Sequence, residues 1–484
     1  MCRFCVRGDC AGEFTRREVL GVAGAGLAAG LLAPTMLTAA EGAAANPEPD
    51  DPLDVRVVYA RPKERQWLGW PGTFWDPESF TGKSRALVEG FGRQLGMKVS
   101  FEPAPIHEPA EVDAFVKKVK AERPKGVIVF PLNADEFIAG TIDKIAQSGI
   151  PTVIFCGLGM FHTGFAGSVV PTARRQGVYL PSSSDFELGP VRFGMKMIQA
   201  AYRLRRTKVA VLRGTETAEQ KMEPLGLTIR FLPRRRFPDT LKTIEETPEV
   251  VAMAEQYAKA AKKVIEPTQA DLINAAKNYF ASRKIMEEEG CQGISMDCLG
   301  LVGNREIPTP PCLSWTRLLD SGLSGTCEAD VNAVMSQEVC LKLLDKPGFI
   351  QDPVPETERG TLIGVHCVCA TKLNGWDKPA EPFLLRSHSE SNIGVAVQVL
   401  WRPGQEVTIM QMVGPEKMLL GKGRVLRNHD TPPAGGCRTS VELEIDGPQD
   451  PCDTKGFHQL FIYGDHVRQF KAYAQMYGIT CEHI

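Results

Sequence analysis

From Val55 onward, apolar runs of strand length alternate with stretches whose apolar positions recur at helical spacing. VRVVYA (55–60), KVSFEPA, GVIVFPL and PTVIFCG read as strands. SRALVEGFGRQLG, PAEVDAFVKKVKAE and the segment around EFIAGTIDKIAQSG read as the helices between them. That order predicts right-handed strand–helix–strand crossovers and a parallel sheet. The strand ends VFPLN and IFCGLG belong at the carboxyl edge, where such sheets open clefts. A second α/β region follows, with strands at KVAVLRG (208–214), GLTIRFL and GCQGISMD and helices at MAEQYAKAAKKV and DLINAAKNYFASRKIMEEEG. A further helix is expected to start near Glu328. After Thr361 the texture changes: TLIGVHCVCA, PFLLRSH, GVAVQVLW, EVTIMQMV, MLLGKGRVL and TSVELEI are short β-like runs separated by Gly, Pro and Asn. They predict a compact antiparallel sheet or barrel, closed off by a last helix at VRQFKAYAQMYG.

A chain of 484 residues exceeds what one hydrophobic core supports. The pattern therefore divides into two doubly wound parallel-sheet α/β domains, 54–170 and 171–350, followed by an antiparallel β-barrel-like domain, 351–484. Residues 1–53 stand apart. There Arg16 and Arg17 precede a Gly- and Ala-rich apolar stretch from about Val19 to Leu37, then small residues and a Pro-rich acidic linker. This segment resembles a twin-arginine export signal. It implies passage through the twin-arginine translocase and a periplasmic or secreted location, with cleavage or retention as an anchor both open. Its four glycines and one proline weaken it as a permanent span.

The formal charge of −2 leaves no basic footprint, so nucleic acid is not an expected partner; RRRF at 234–237 is short enough to be a solvated face. Of 14 cysteines, Cys2, Cys5 and Cys10 lie in the lead without a fourth ligand. The remainder are scattered and read as buried small hydrophobes, any disulfides being left open. No phosphate-binding loop, nucleophile elbow or dinucleotide fingerprint occurs in a strand–turn–helix context.

The chemistry concentrates at TCEADVNAVMSQEVCLKLLDK. At about 100° per residue, Val331, Val334, Met335, Val339 and Leu343 form one helical face, with Glu328 near its middle and Asp330 pointing away. A buried ionised carboxylate needs a metal, a cation or several donors. The plainer reading is a first-turn acid, favoured by the helix dipole and wet at its tip. Asp330 fits that plainer description, as a solvated first-turn acid.

CEADVNAVMSQEVCLKLL, then GFIQDP, GVHCVCA and a late FHQLFIYGD resemble the carboxyl half of the L-fucose and L-arabinose isomerase superfamily, over about 290–479. The first half shares only its α/β texture. The resemblance implies a divalent metal, usually manganese, held by Glu328, Asp352 and His458. Glu328 and Asp352 would double as the acid–base pair, and His366 would join as a further histidine. It also implies a homo-oligomer with the active site between subunits. Aldose–ketose isomerisation suits these groups: proton transfer between adjacent carbons through an enediolate needs a base, an acid and positive charge beside the developing oxygens. Oxygen ligands with imidazole favour manganese or magnesium over thiolate-bound zinc, leaving Cys327 and Cys367 as packing residues.

The loop ARPKERQWLGWPGTFWDPESF adds Arg61, Trp67, Trp70 and Trp75. Their flat apolar faces and guanidinium suit a free monosaccharide, or else a packed loop or subunit contact. Arg61, Trp70, Trp75 and His366 are the substrate-binding candidates. His107, His162, His388, His429, His466 and His483 share no linking spacing and are left outside the site; Glu381 and Glu390 read as solvated. The expectation is an exported metal-dependent sugar isomerase. The competing readings are a noncatalytic periplasmic sugar-binding or sensing protein, and an epimerase using the same groups.

Overall fold

The computed structural model describes residues 51–63, 76–158, 163–431, 436–447 and 450–484. The expected export signal and Trp67, Trp70 and Trp75 lie outside the described residues.

The first sheet is parallel, in the order Lys98–Phe101, Asp54–Ala60, Gly126–Pro131, Thr152–Ile154, Val178–Tyr179. Its central strand Gly126–Pro131 is buried at every position, as a strand covered on both faces must be. One cover is the helix Gly189–Leu204, which approaches so closely at Gly194 that a Cβ there would lie 2.6 Å from a Val153 methyl. The second sheet runs Ser324–Cys327, Gly293–Met296, Lys208–Leu212, Leu227–Leu232, all parallel, with Ala218–Met222 antiparallel at one edge.

The carboxyl-terminal region closes into a six-stranded antiparallel barrel. Phe349–Glu356 pairs with Thr361–His366, then come Thr439–Asp446, Lys417–Asn428, Glu406–Met412 and Gln459–Tyr463, which returns to Phe349–Glu356. Closure removes the edge strands that an open sheet of this length would expose. Thr480–His483 adds outside the circuit, parallel to Lys417–Asn428. Phe383–Arg386 and Ala396–Val399 stay out of the barrel, pairing with each other and with Lys263–Val264.

One apolar core crosses all three assemblies, from Val57 and Ile128 through Met335 to Met410, Leu460 and Phe470. The terminal helix Val467–Tyr477 ties the end of the chain back to the first sheet, with the Gln475 amide donating to the carbonyls of Ala173 and Val178. Among the described residues no helix is long and apolar enough to cross a membrane. The eleven described cysteines are all free and mostly buried.

Candidate metal centre

Four elements converge where the carboxyl edge of the second sheet meets the barrel. Glu328 directly follows the strand Ser324–Cys327, and Asp352 lies on the barrel strand Phe349–Glu356. His366 ends Thr361–His366, and His458 immediately precedes Gln459–Tyr463. The barrel register places Asp352 opposite Val365, beside His366, and Gln351 opposite Gln459, beside His458. A buried hydrogen bond of 2.9 Å from the Gln351 amide to Gln459 Oε1 holds the latter two strands.

The expected helix start is corrected. The helix spans Val331–Leu344 with Asp330 as its N-cap, so Glu328 stands outside it. Glu328 and Ala329 turn the chain through left-handed backbone, φ 61° and 54°. The helical-face argument for Glu328 therefore does not hold; the turn aims its carboxylate instead. His458 is left-handed too, at φ 58°. Such conformations cost roughly 1–2 kcal/mol per non-glycine residue and persist where surrounding structure enforces them, commonly at functional sites.

The reading of Asp330 as a solvated first-turn acid is corrected as well. Its Oδ1 accepts from the Asn332 N–H at 2.7 Å, and its Oδ2 accepts from His458 Nδ1–H at 2.8 Å. This hydrogen bond leaves His458 Nε2 facing the centre, 3.4 Å from Asp352 Oδ1 and 3.6 Å from Glu328 Oε2. His366 Nε2 lies 4.0 Å from Glu328 Oε1. Ligand atoms of Glu328, His366 and His458 all fall within 4.8 Å of one another, a grouping that can hold a metal ion. Of the expected metal trio, then, Glu328 and His458 belong to this group, His366 joins them, and Asp352 stands beside it against His458.

Two observations fit a cation here. His458 Nε2 and Asp352 Oδ1 are buried and neither has a hydrogen-bond partner. Bonds of about 2.0–2.2 Å to one ion bring neighbouring ligand atoms to about 3.0–3.5 Å; the 3.4 and 3.6 Å spacings around His458 Nε2 are near that range, and the 4.0 Å between His366 and Glu328 is wider. The electrostatics agree. Burial raises the Glu328 carboxyl against the pull of His458, with Glu390 and Asp330 adding to the rise. Burial likewise raises Asp352, to about 6, with Glu328 adding repulsion. For His458, burial acts to lower the pKa, but the Asp330 hydrogen bond and the charges of Asp352 and Glu328 outweigh it and raise it. Burial and the neighbouring rings of His458 and His388 push His366 down to about 3, leaving it neutral.

Two residues set aside on sequence grounds are placed differently. His388 is buried, holds Ser391 Oγ through Nδ1 at 3.0 Å, and acts electrostatically on Glu328 and His366. Glu381 is buried in an ion pair with Arg402 at 2.6 Å, not solvated; Glu390 is exposed. His388 ends the run PFLLRSH, read as β-like, and was set aside for want of a linking spacing with the other histidines. Arg61 follows the first strand, and its guanidinium pairs with Glu78 in the first turn of the helix Pro77–Leu95. Cys327 and Cys367 are buried as expected, and burial raises the Cys327 thiol well above its ordinary range. Phe457, 56% exposed, lays its ring 4.4 Å from that of His458.

No family model matches the sequence, and no curated protein is significantly similar to it. Among solved structures, an ABC transporter periplasmic solute-binding protein from Actinobacillus succinogenes 130z, solved with D-allose, aligns over 53% of this chain and 84% of its own. The identity is 13% and the TM-score 0.17. The XylFII-LytSN complex aligns over 54% and 86%, at 10% identity and a TM-score of 0.16. At those TM-scores neither bears on what this chain binds or does.

Proposed function

We propose that this chain is a divalent-cation-dependent enzyme that shifts a proton between adjacent carbons of a free monosaccharide, an aldose–ketose isomerase. The observation that carries the reading is the pair of buried, unpartnered atoms, His458 Nε2 and Asp352 Oδ1, facing one another beside a second raised carboxyl. Side chains kept for stability alone would have their polar atoms paired.

Glu328, His366 and His458 would hold the ion, with Asp352 at its flank. A bound manganese or magnesium would polarise the carbonyl and hydroxyl oxygens of the sugar and acidify the carbon-bound proton between them. Asp352 takes that proton: a carboxyl raised to about 6 is ionised at neutral pH yet basic enough to act. Glu328 holds and returns protons on the oxygen side, its own carboxyl being raised by the same burial. His366, neutral, offers Nε2 once its ring proton moves to Nδ1, at the loss of a long 3.4 Å contact from the Val368 N–H. The exposed Phe457 ring supplies an apolar face for the C–H side of a sugar.

The test is deuterium uptake from solvent into a panel of aldoses and ketoses with manganese-loaded protein. Exchange into at least one sugar, lost in Asp352→Asn, is the expected result. Bound manganese with no exchange in any sugar would overturn the enzymatic reading and leave a noncatalytic site.

A further inference from the structure

We infer that Asp330 is the positioning residue of this centre: one of its carboxylate oxygens fixes the start of a helix while the other fixes the tautomer and direction of His458. The geometry divides the two tasks cleanly. Oδ1 takes the Asn332 N–H at 2.7 Å and Oδ2 takes His458 Nδ1–H at 2.8 Å. A ring whose proton sits on Nδ1 keeps its lone pair on Nε2, the atom turned towards Glu328 and Asp352.

Both ends of this contact rest on the same strut. The helix start is pinned to the barrel by the Gly414 N–H on Asn332 Oδ1 at 2.9 Å and by the Met412 N–H on Ser336 Oγ at 2.8 Å. The strand Glu406–Met412 carries Met412 and pairs directly with Gln459–Tyr463, the strand that His458 precedes, in a register that sets Met410 opposite Leu460. Phe457 covers one side of the ring, and its backbone N–H and carbonyl are both held by the Gln411 amide, on that same strand. Gly456 permits this approach, since a Cβ there would lie 2.1 Å from Gln411 Oε1. Asp330 therefore meets a ring that has little freedom left except which nitrogen carries the proton.

His366 supplies the contrast. Its Nδ1 accepts from a backbone N–H, which puts the proton on Nε2 and turns it towards the centre. Of the two imidazoles, His458 alone is set beforehand to receive a cation, and Asp330 is what sets it.

The role of Asp330 towards an ion rests on the proposed cation site, whereas its control of the tautomer does not, and the experiment separates the two. Asp330→Asn keeps an oxygen for the Asn332 N–H and presents an amide N–H to His458 Nδ1; Asp330→Ser keeps a good N-cap and removes the contact. In metal-free protein with 15N-labelled histidine, at a pH alkaline enough for the ring to be neutral, NMR should show His458 protonated at Nδ1. In Asp330→Asn it should be protonated at Nε2. Manganese affinity should fall about ten- to a hundredfold in both variants, with a cooperative thermal transition retained by metal-free Asp330→Ser. An unchanged tautomer in Asp330→Asn overturns the inference, as does manganese binding in both variants as tight as in the wild type. Should the wild type bind no divalent cation, the cation site itself falls, and the NMR comparison alone then decides whether Asp330 positions the ring.

Discussion

The barrel carries two buried groups of carboxylate and imidazole, and they are built in opposite ways. Around Glu442 every acceptor is used: Arg359 Nε and Thr361 Oγ1 donate to one oxygen at 2.9 and 2.7 Å, Arg427 Nε and His429 to the other at 2.7 and 2.8 Å. Burial acts to raise this carboxyl, but those donors overcome it and hold it down, at about 2. Around Asp352 and Glu328 no lysine or arginine pairs with either acid among the described residues, and burial raises both. The first is an internally completed ionic knot. The second has only the His458 imidazole to set against its acids and leaves buried atoms unpaired, which is why it reads as a site.

That contrast can be broken at either end. The largest expected effect is on His458→Ala, which should weaken manganese binding at least about a hundredfold, read by competition titration. Glu442→Gln should leave the same affinity untouched. In stability the order reverses: Glu442→Gln should lose about 1–3 kcal/mol in urea unfolding, because the donors around it lose a charged acceptor. Asp352→Asn in metal-free protein should instead gain about 0.5–2 kcal/mol, since it relieves repulsion kept for function. A loss on Asp352→Asn as large as that for Glu442→Gln would erase the distinction.

The smallest effect is a pair of opposite pH slopes in metal-free protein. Glu442 has a folded pKa below its ordinary 4.5, so its stabilisation is full above 4.5 and fades as pH falls towards about 2. Asp352 has a folded pKa above its ordinary 3.8, so the folded state binds that proton more tightly. Its contribution is full below 3.8 and is lost as pH rises through about 6. Urea midpoints across this range should lose their acid-side slope in Glu442→Gln and their slope near pH 6 in Asp352→Asn.

The central strands of both parallel sheets and most barrel strands after Thr361 were legible because burial on two faces, or on one, writes continuous or alternating apolar runs, whereas Ser324–Cys327, Phe349–Glu356 and Gln459–Tyr463, which border the site, went unread. The edge strand Ala218–Met222 was not: AEQKM is exposed at four of its five positions and pairs through backbone alone. At the site, Glu328, Asp352 and His458 were reached largely through likeness of motif, and the structure brings them together. The turn at Glu328 escaped because left-handed backbone at Glu and Ala leaves no mark on hydrophobic periodicity. Asp330 escaped for a different reason: its partner His458 is 128 residues away, and no local spacing encodes that contact.

The separation also sets an order of assembly. Glu328 waits on the second sheet, but His458 arrives with a strand made near the end of the chain, whose pairing with Phe349–Glu356 helps close the barrel. A chain in which Gln459–Tyr463 has not yet paired holds two acids and one imidazole with no complete cradle. Were an ion bound there, its presence would therefore report that the barrel has closed.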